Sequence, residues 1–295
     1  MQRVRLSENF RAVFYAPFYA TQALGYYASE GLDVVLIESS APGNGPQGLL
    51  DGSVDVSWGG PMRVMKDRDE GGPGYMCFCE VVRRDPFYLV GRTGDAPFQL
   101  TDLATKRLGV VSEVPTPWHC LQHDLREAGL DPARLDLVRG RSMADNLAAV
   151  ASRTLDVAQV FEPFTQQALA HGLQILYAQS ARGPTSYTTL LGTRETVVRN
   201  REMYTAMTRA VARMQGWLVE HSAADLAEAV ASFYPQIPRA TLAAALAHYK
   251  AAGLWADGTV VSRTGFERLA VSLKSGGFIR TLPRYDDCVV DFSAT

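Results

Sequence analysis

Through the first 190 residues, short apolar runs alternate with stretches whose apolar positions fall on one helical face. Val34 to Ile37, Val54 to Ser57, Tyr75 to Val82, Phe87 to Gly91, Leu108 to Val111, Leu135 to Arg139, Val157 to Phe161 and Leu173 to Tyr177 each read as a buried strand. Helical spacing lies between them, over Ala20 to Ser29, Met62 to Asp69, Pro117 to Ala128 and Ser142 to Ser152. That alternation predicts an α/β fold with mostly parallel sheets covered on both faces. Tyr187 to Gly192 reads as an extended return segment. Four helices follow, over Arg199 to His221, Ala223 to Tyr234, Arg239 to Ala252 and Arg263 to Ser275. The stripe Met203, Met207, Val211, Met214 and Leu218 on the first of them reads as core.

The chain opens on an unusual unit. Arg11 to Tyr19 reads as a strand running into a turn crowded with Phe14, Tyr15, Phe18 and Tyr19, followed by a helix and the strand Val34 to Ile37. Gly31 fits the left-handed cap of that helix. The carboxyl edge of strands in an open α/β sheet is where ligands bind, so this corner is a small-molecule site by position.

Composition narrows the classes. The 295 residues are 47% hydrophobic and 20% charged, with net charge -2 from 29 basic and 31 acidic residues. No basic stripe of the kind that tracks nucleic acid is present. No apolar run is long enough to span a bilayer. Met1 to Asn9 holds basic residues with no apolar stretch before the first unit. The protein is therefore expected in the cytoplasm or, with a leader removed, in the periplasm or on a lipid anchor. Cys77, Cys79, Cys120 and Cys288 form no disulfide framework, and Cys77 and Cys79 would share one strand face. No cofactor motif and no metal-ligating set stands out.

Several segments together resemble a known family. They are Tyr15-Ala16-Pro17-Phe18-Tyr19-Ala20, Leu24 to Val34, Leu49 to Val56, Phe98 to Val110 and Leu155 to Phe164. The pattern resembles the type II periplasmic-binding-protein superfamily, in the branch of thiamine-pyrimidine-synthase-like and nitrate, sulfonate and taurine-type solute-binding proteins. The resemblance implies two lobes, residues 1–92 with 190–295 and residues 93–189, closing over a ligand. Hinge crossings would lie near Gly91 to Ala96 and Ser186 to Gly192. It also implies an ABC transporter permease as partner and a monomer or weak dimer. The expected ligand is a small aromatic or heteroaromatic compound, with or without an anionic group.

Site candidates follow the strand ends. Tyr15, Phe18 and Tyr19 would form an aromatic wall. Ser39, Ser40 and Asn44 would offer hydroxyl, amide and backbone donors, and Gly60 with Pro61 would let a ligand approach closely. Glu80 ends an apolar strand and would accept from an amino group or cation. Thr116, Trp118 and His119 would face this wall from the other lobe, with Phe161, Glu162, Ser186 and Tyr187 completing the cleft. The alternative is an enzyme of the same fold, a lyase or decarboxylase or a maker of the thiamine pyrimidine precursor, moving protons with Glu80, His119 or Glu162. No Ser-His-Asp set, His-Glu-x-x-His or Cys-x-x-Cys motif supports it.

Overall fold

The computed structural model describes residues 1–39, 45–92, 94 and 96–293. Its strands are β1 (Gln2–Ser7), β2 (Leu32–Ile37), β3 (Val56–Gly59), β4 (Tyr75–Val82), β5 (Tyr88–Gly91), β6 (Arg107–Gly109), β7 (Asp136–Val138), β8 (Val157–Val160), β9 (Gln174–Ala178), β10 (Thr188–Thr193) and β11 (Val289–Val290). Its helices are α1 (Ala16–Ala23), α2 (Tyr26–Ser29), α3 (Gln47–Asp51), α4 (Met62–Glu70), α5 (Thr116–Glu127), α6 (Met143–Ala151), α7 (Phe164–Ala170), α8 (Arg194–Arg199), α9 (Arg201–Glu220), α10 (Ala223–Val230), α11 (Arg239–Ala251), α12 (Arg263–Ser275) and α13 (Tyr285–Cys288).

Two sheets organise the chain. The first runs β11-β4-β10-β3-β1-β2 and the second β7-β6-β8-β5-β9. Each is parallel except for one inserted strand. In the first sheet β10 is antiparallel to both β3 and β4, and in the second β5 is antiparallel to both β8 and β9. Each inserted strand is the one the chain forms on arriving from the other sheet.

The first crossing comes earlier than the stretch Gly91 to Ala96 expected from sequence. β4 ends at Val82, and β5 already pairs with the second sheet from Tyr88. The break falls at Arg83-Arg84-Asp85-Pro86. Asp85 Oδ1 accepts the Phe87 backbone N–H at 3.0 Å, and Pro86 has no N–H to offer a ladder. The chain returns between Ala178 and Thr188.

The opening strand also lies earlier than the apolar pattern predicts. β1 is Gln2–Ser7, where Val4 and Leu6 are buried and Arg3 and Arg5 point outward in two-residue alternation. The aromatic run lies after it, in a 3-10 turn (Val13–Tyr15) and in α1. Pro17 sits in the first turn of α1, where its missing N–H costs nothing. The helix expected up to Ser29 is cut in two by Gly25 at φ 73°, while Gly31 takes the left-handed conformation expected of it.

Cys77 and Cys79 do not share a face. Cys79 has φ 62° and is skipped in the pairing with β10, where Leu190 faces Phe78 and Thr189 faces Glu80. This bulge sends Cys77 to a core with Leu269, Leu273 and Cys288, and Cys79 to the main core with Tyr27 and Val81. The methionine stripe of α9 is buried core, as its spacing predicts.

Candidate functional site

At the carboxyl ends of β1 and β3, residues positioned by the two sheets meet around a cavity of about 30 Å³. Asn9, Phe10, Phe14, Tyr15, Gly60 and Tyr187 line it from the first sheet, and Val114 and Thr116 from the loop and helix start after β6. The Asn9 amide donates to the Tyr15 hydroxyl at 3.1 Å. Burial pushes the Tyr15 phenol up to about 12, so it stays a neutral donor. A Cβ built on Gly60 would lie 3.4 Å from the Tyr187 carbonyl and 3.9 Å from Thr116 Oγ1, so a small residue lets the two sides approach. Among the described residues the Thr116 hydroxyl has only the Met62 sulfur as acceptor, at 3.2 Å, which leaves it free to turn toward a stronger one.

Four sequence candidates, Tyr15, Gly60, Thr116 and Tyr187, are thus brought together. Phe161 stands behind them, edge-on to Phe14 at 5.4 Å and to Phe87 at 5.2 Å. Ser39 lies away from this cavity, on a larger pocket beside it. Ser40 and Asn44 lie outside the described residues. Pro61 caps α4 without lining the cavity.

The remaining candidates are committed elsewhere. Phe18 stacks on Trp58 with centroids 4.6 Å apart, and the Tyr19 hydroxyl donates to Glu8 at 2.5 Å in a pair that also holds Arg11. Both rings are turned inward because α1, not a strand end, carries them. Trp118 and His119 lie two and three residues beyond Thr116, so the helix rotates them off the cavity. Trp118 enters the core of the second sheet with Leu108 and Leu121, its ring covered by Arg139. His119 packs on Phe278 at 4.9 Å; burial lowers its pKa, and its buried Nδ1 has no hydrogen-bond partner among the described residues.

Glu80 and Glu162 are both fully buried in separate networks. Glu80 accepts from Ser186 Oγ at 2.6 Å and from Arg83 at 3.2 Å, and burial raises its pKa despite these partners. Ser186, held at φ 43°, is thereby turned to Glu80 and not to the cavity. Glu162 accepts from His248 Nδ1 at 2.7 Å and from Gln166, and its backbone N–H donates to Tyr249. Sequence reading missed Asn9, Phe10, Phe14 and Val114 as lining residues. Locating β1 at Gln2–Ser7 would have put Asn9 and Phe10 directly at its carboxyl end.

The larger pocket, about 700 Å³, opens on the other side of the same strand ends. It is lined by Ser7 at the end of β1, Ser39 after β2, Gly45, and Met62, Arg63 and Lys66 of α4. Arg63 was not singled out from sequence. Its position on the first turn after Gly59-Gly60-Pro61 was the available signal.

The chain matches the profile of the NMT1/THI5-like family over residues 13–224. It is 23% identical over 290 residues to YtlA of Bacillus subtilis (strain 168), whose name marks it as a candidate binding protein, covering 96% of this chain and 86% of YtlA. Among solved structures, it superposes on the periplasmic aliphatic sulphonate binding protein SsuA of Escherichia coli with TM-score 0.75 and 15% identity, over 97% of this chain and 96% of that one. The alkanesulfonate-binding SsuA of Xanthomonas axonopodis pv. citri, solved with MOPS, gives TM-score 0.73 and 16% identity over 99% of both chains. Two sheets joined by paired crossings, with a cavity at their facing ends, are the periplasmic binding protein fold, and the chain belongs to the NMT1/THI5-like family.

Proposed function

We propose that the protein is the solute-binding component of an ABC import system, working outside the cytoplasmic membrane with a permease as partner. The two sheets act as lobes, hinged at residues 83–87 and 179–187, that close on a small organic solute with a flat aromatic or heteroaromatic part. The observation that carries this reading is the cavity where Phe14, Tyr15 and Tyr187 on one side face Val114 and Thr116 on the other. Aromatic faces with a few fixed polar groups are the usual lining of a small-molecule site. Family membership and the sulfonate-binding proteins that share the fold support the same reading.

Proton transfer by Glu80, His119 or Glu162 draws no support from the geometry. None of the three lines the cavity, and both carboxylates are occupied by internal partners. The test is native mass spectrometry of solute that co-purifies with the protein, before and after incubation. The expected result is one solute per chain, released unchanged. A product of altered mass that accumulates with time would overturn the binding reading in favour of turnover.

A further inference from the structure

We propose that Arg63 is the anchor for an oxyanion head group, carboxylate or sulfonate, on the solute, and that the pocket beside it receives that head. This rests on the solute-binding reading above and adds the charge class that reading leaves open.

The argument is an accounting of partners in the pocket. Four carboxylates line it, and each has a hydrogen-bond or ion-pair partner. Glu38 shares Arg11 with Glu8, at 3.6 Å against 2.7 Å, and Asp51 accepts the Ser53 N–H at 2.8 Å. Asp67 accepts the N–H groups of Gly74 and Tyr75 at 3.0 and 3.1 Å. Glu70 holds Lys66 at 3.1 Å, and Lys66 also donates to the Phe278 carbonyl. Arg63 alone is left over. Among the described residues its guanidinium makes no hydrogen bond and no ion pair, although the side chain is half-buried. Burial lowers its pKa, with no carboxylate opposing. A desolvated cation with five donors and no acceptor is costly unless something supplies the acceptor.

Position adds to this. Arg63 stands on the first turn of α4, at the carboxyl ends of β1 and β3, where the helix N-terminus also favours negative charge. Gly60, three residues before it, lines the cavity between the sheets, and Met62 of the same pocket accepts from Thr116 on that cavity at 3.2 Å. On this proposal a head group at Arg63 places the remainder of the solute toward the aromatic corner next to the pocket. The planar fork of a guanidinium meets a carboxylate or sulfonate with two parallel hydrogen bonds.

The test is calorimetric titration of the full chain and of Arg63→Gln with four probes: sodium benzenesulfonate, sodium benzoate, benzamide and sodium sulfate. The expected result is that an aromatic anion binds the unmodified chain about 10- to 100-fold more tightly than Arg63→Gln, while benzamide binds both alike. A second variant reads the cost of the unpaired cation: Arg63→Met, with no probe present, should unfold at a higher temperature than the unmodified chain. The anchor is overturned if the aromatic anions or the co-purified solute bind Arg63→Gln undiminished, or if Arg63→Met is destabilised. Sulfate binding as tightly as benzenesulfonate would overturn the organic solute. In these cases solute binding itself stands. A chain that holds no co-purified solute and no probe would remove both readings together.

Discussion

His119 shows how a residue chosen for chemistry can turn out to matter for stability. Its ring lies against Phe278, and a Cβ on Gly276 would come within 2.8 Å of its Nδ1. Burial holds its pKa below the ordinary value of 6.5. The unfolded chain therefore binds this proton more readily than the folded one, and stability is lost as pH falls from 6.5 through the lower folded value. Thermal unfolding at pH 7 and pH 5 should show a smaller acid loss in His119→Gln than in the unmodified chain. An identical loss in both would show that His119 is equally protonated in the two states. Candidate residues of this kind were legible in part. Thr116 and Tyr187 follow or precede strands that the apolar pattern located, so their edge position followed, whereas Tyr15 reached the cavity although its strand was placed wrongly. Trp118 and His119 did not follow, because the rotation of α5 depends on which of its faces the second sheet takes as core.

At the level of elements, the two crossings are tied to each other. Arg182 on the returning segment holds Asp85 on the outgoing one at 2.7 Å and grips Asp124 of α5 through both Nε and Nη2. Gln179 donates to Asp85 at 3.0 Å and to the Pro117 carbonyl at 3.2 Å, and accepts from Gln159 at 2.6 Å. Burial raises Asp85 to about 6 even with the guanidinium beside it. Arg182→Met leaves two buried carboxylates without a counter-charge, which costs about 3–5 kcal/mol. Urea denaturation should show that loss, and Asp85→Asn added to Arg182→Met should recover part of it. Additive losses in the double variant would mean that the two side chains are not coupled. None of this network was visible beforehand. Asp85 and Arg182 are 97 residues apart, and only the folded crossings bring them together. Helix α12 was the opposite case: it covers the residues its periodicity marks, Arg263–Ser275, because its apolar stripe and its Ser262 cap are both local.

For the molecule as a whole, the cavity between the sheets sets a requirement. At about 30 Å³ it has room for about one water, far less than an aromatic solute. On the proposed reading, an aromatic solute reaches this cavity only if the sheets separate. Small-angle scattering of solute-free protein should give a larger radius of gyration than this arrangement, falling to it when solute is added. An unchanged radius on binding would place the whole solute in the open pocket beside Arg63. The two-sheet architecture was legible from strand–helix alternation, but the strand order was not. The antiparallel places of β5 and β10 depend on pairings between distant segments, about which apolar runs are silent. One of those places governs how the chain is made. β10 lies between β3 and β4, so a ribosome that has delivered the first 82 residues has delivered a sheet with its middle missing. The second sheet needs only residues 88–178 and can close while the first still waits. Translation therefore finishes the later sheet first, and the exposed edges of β3 and β4 must be kept from other chains until residue 193 emerges.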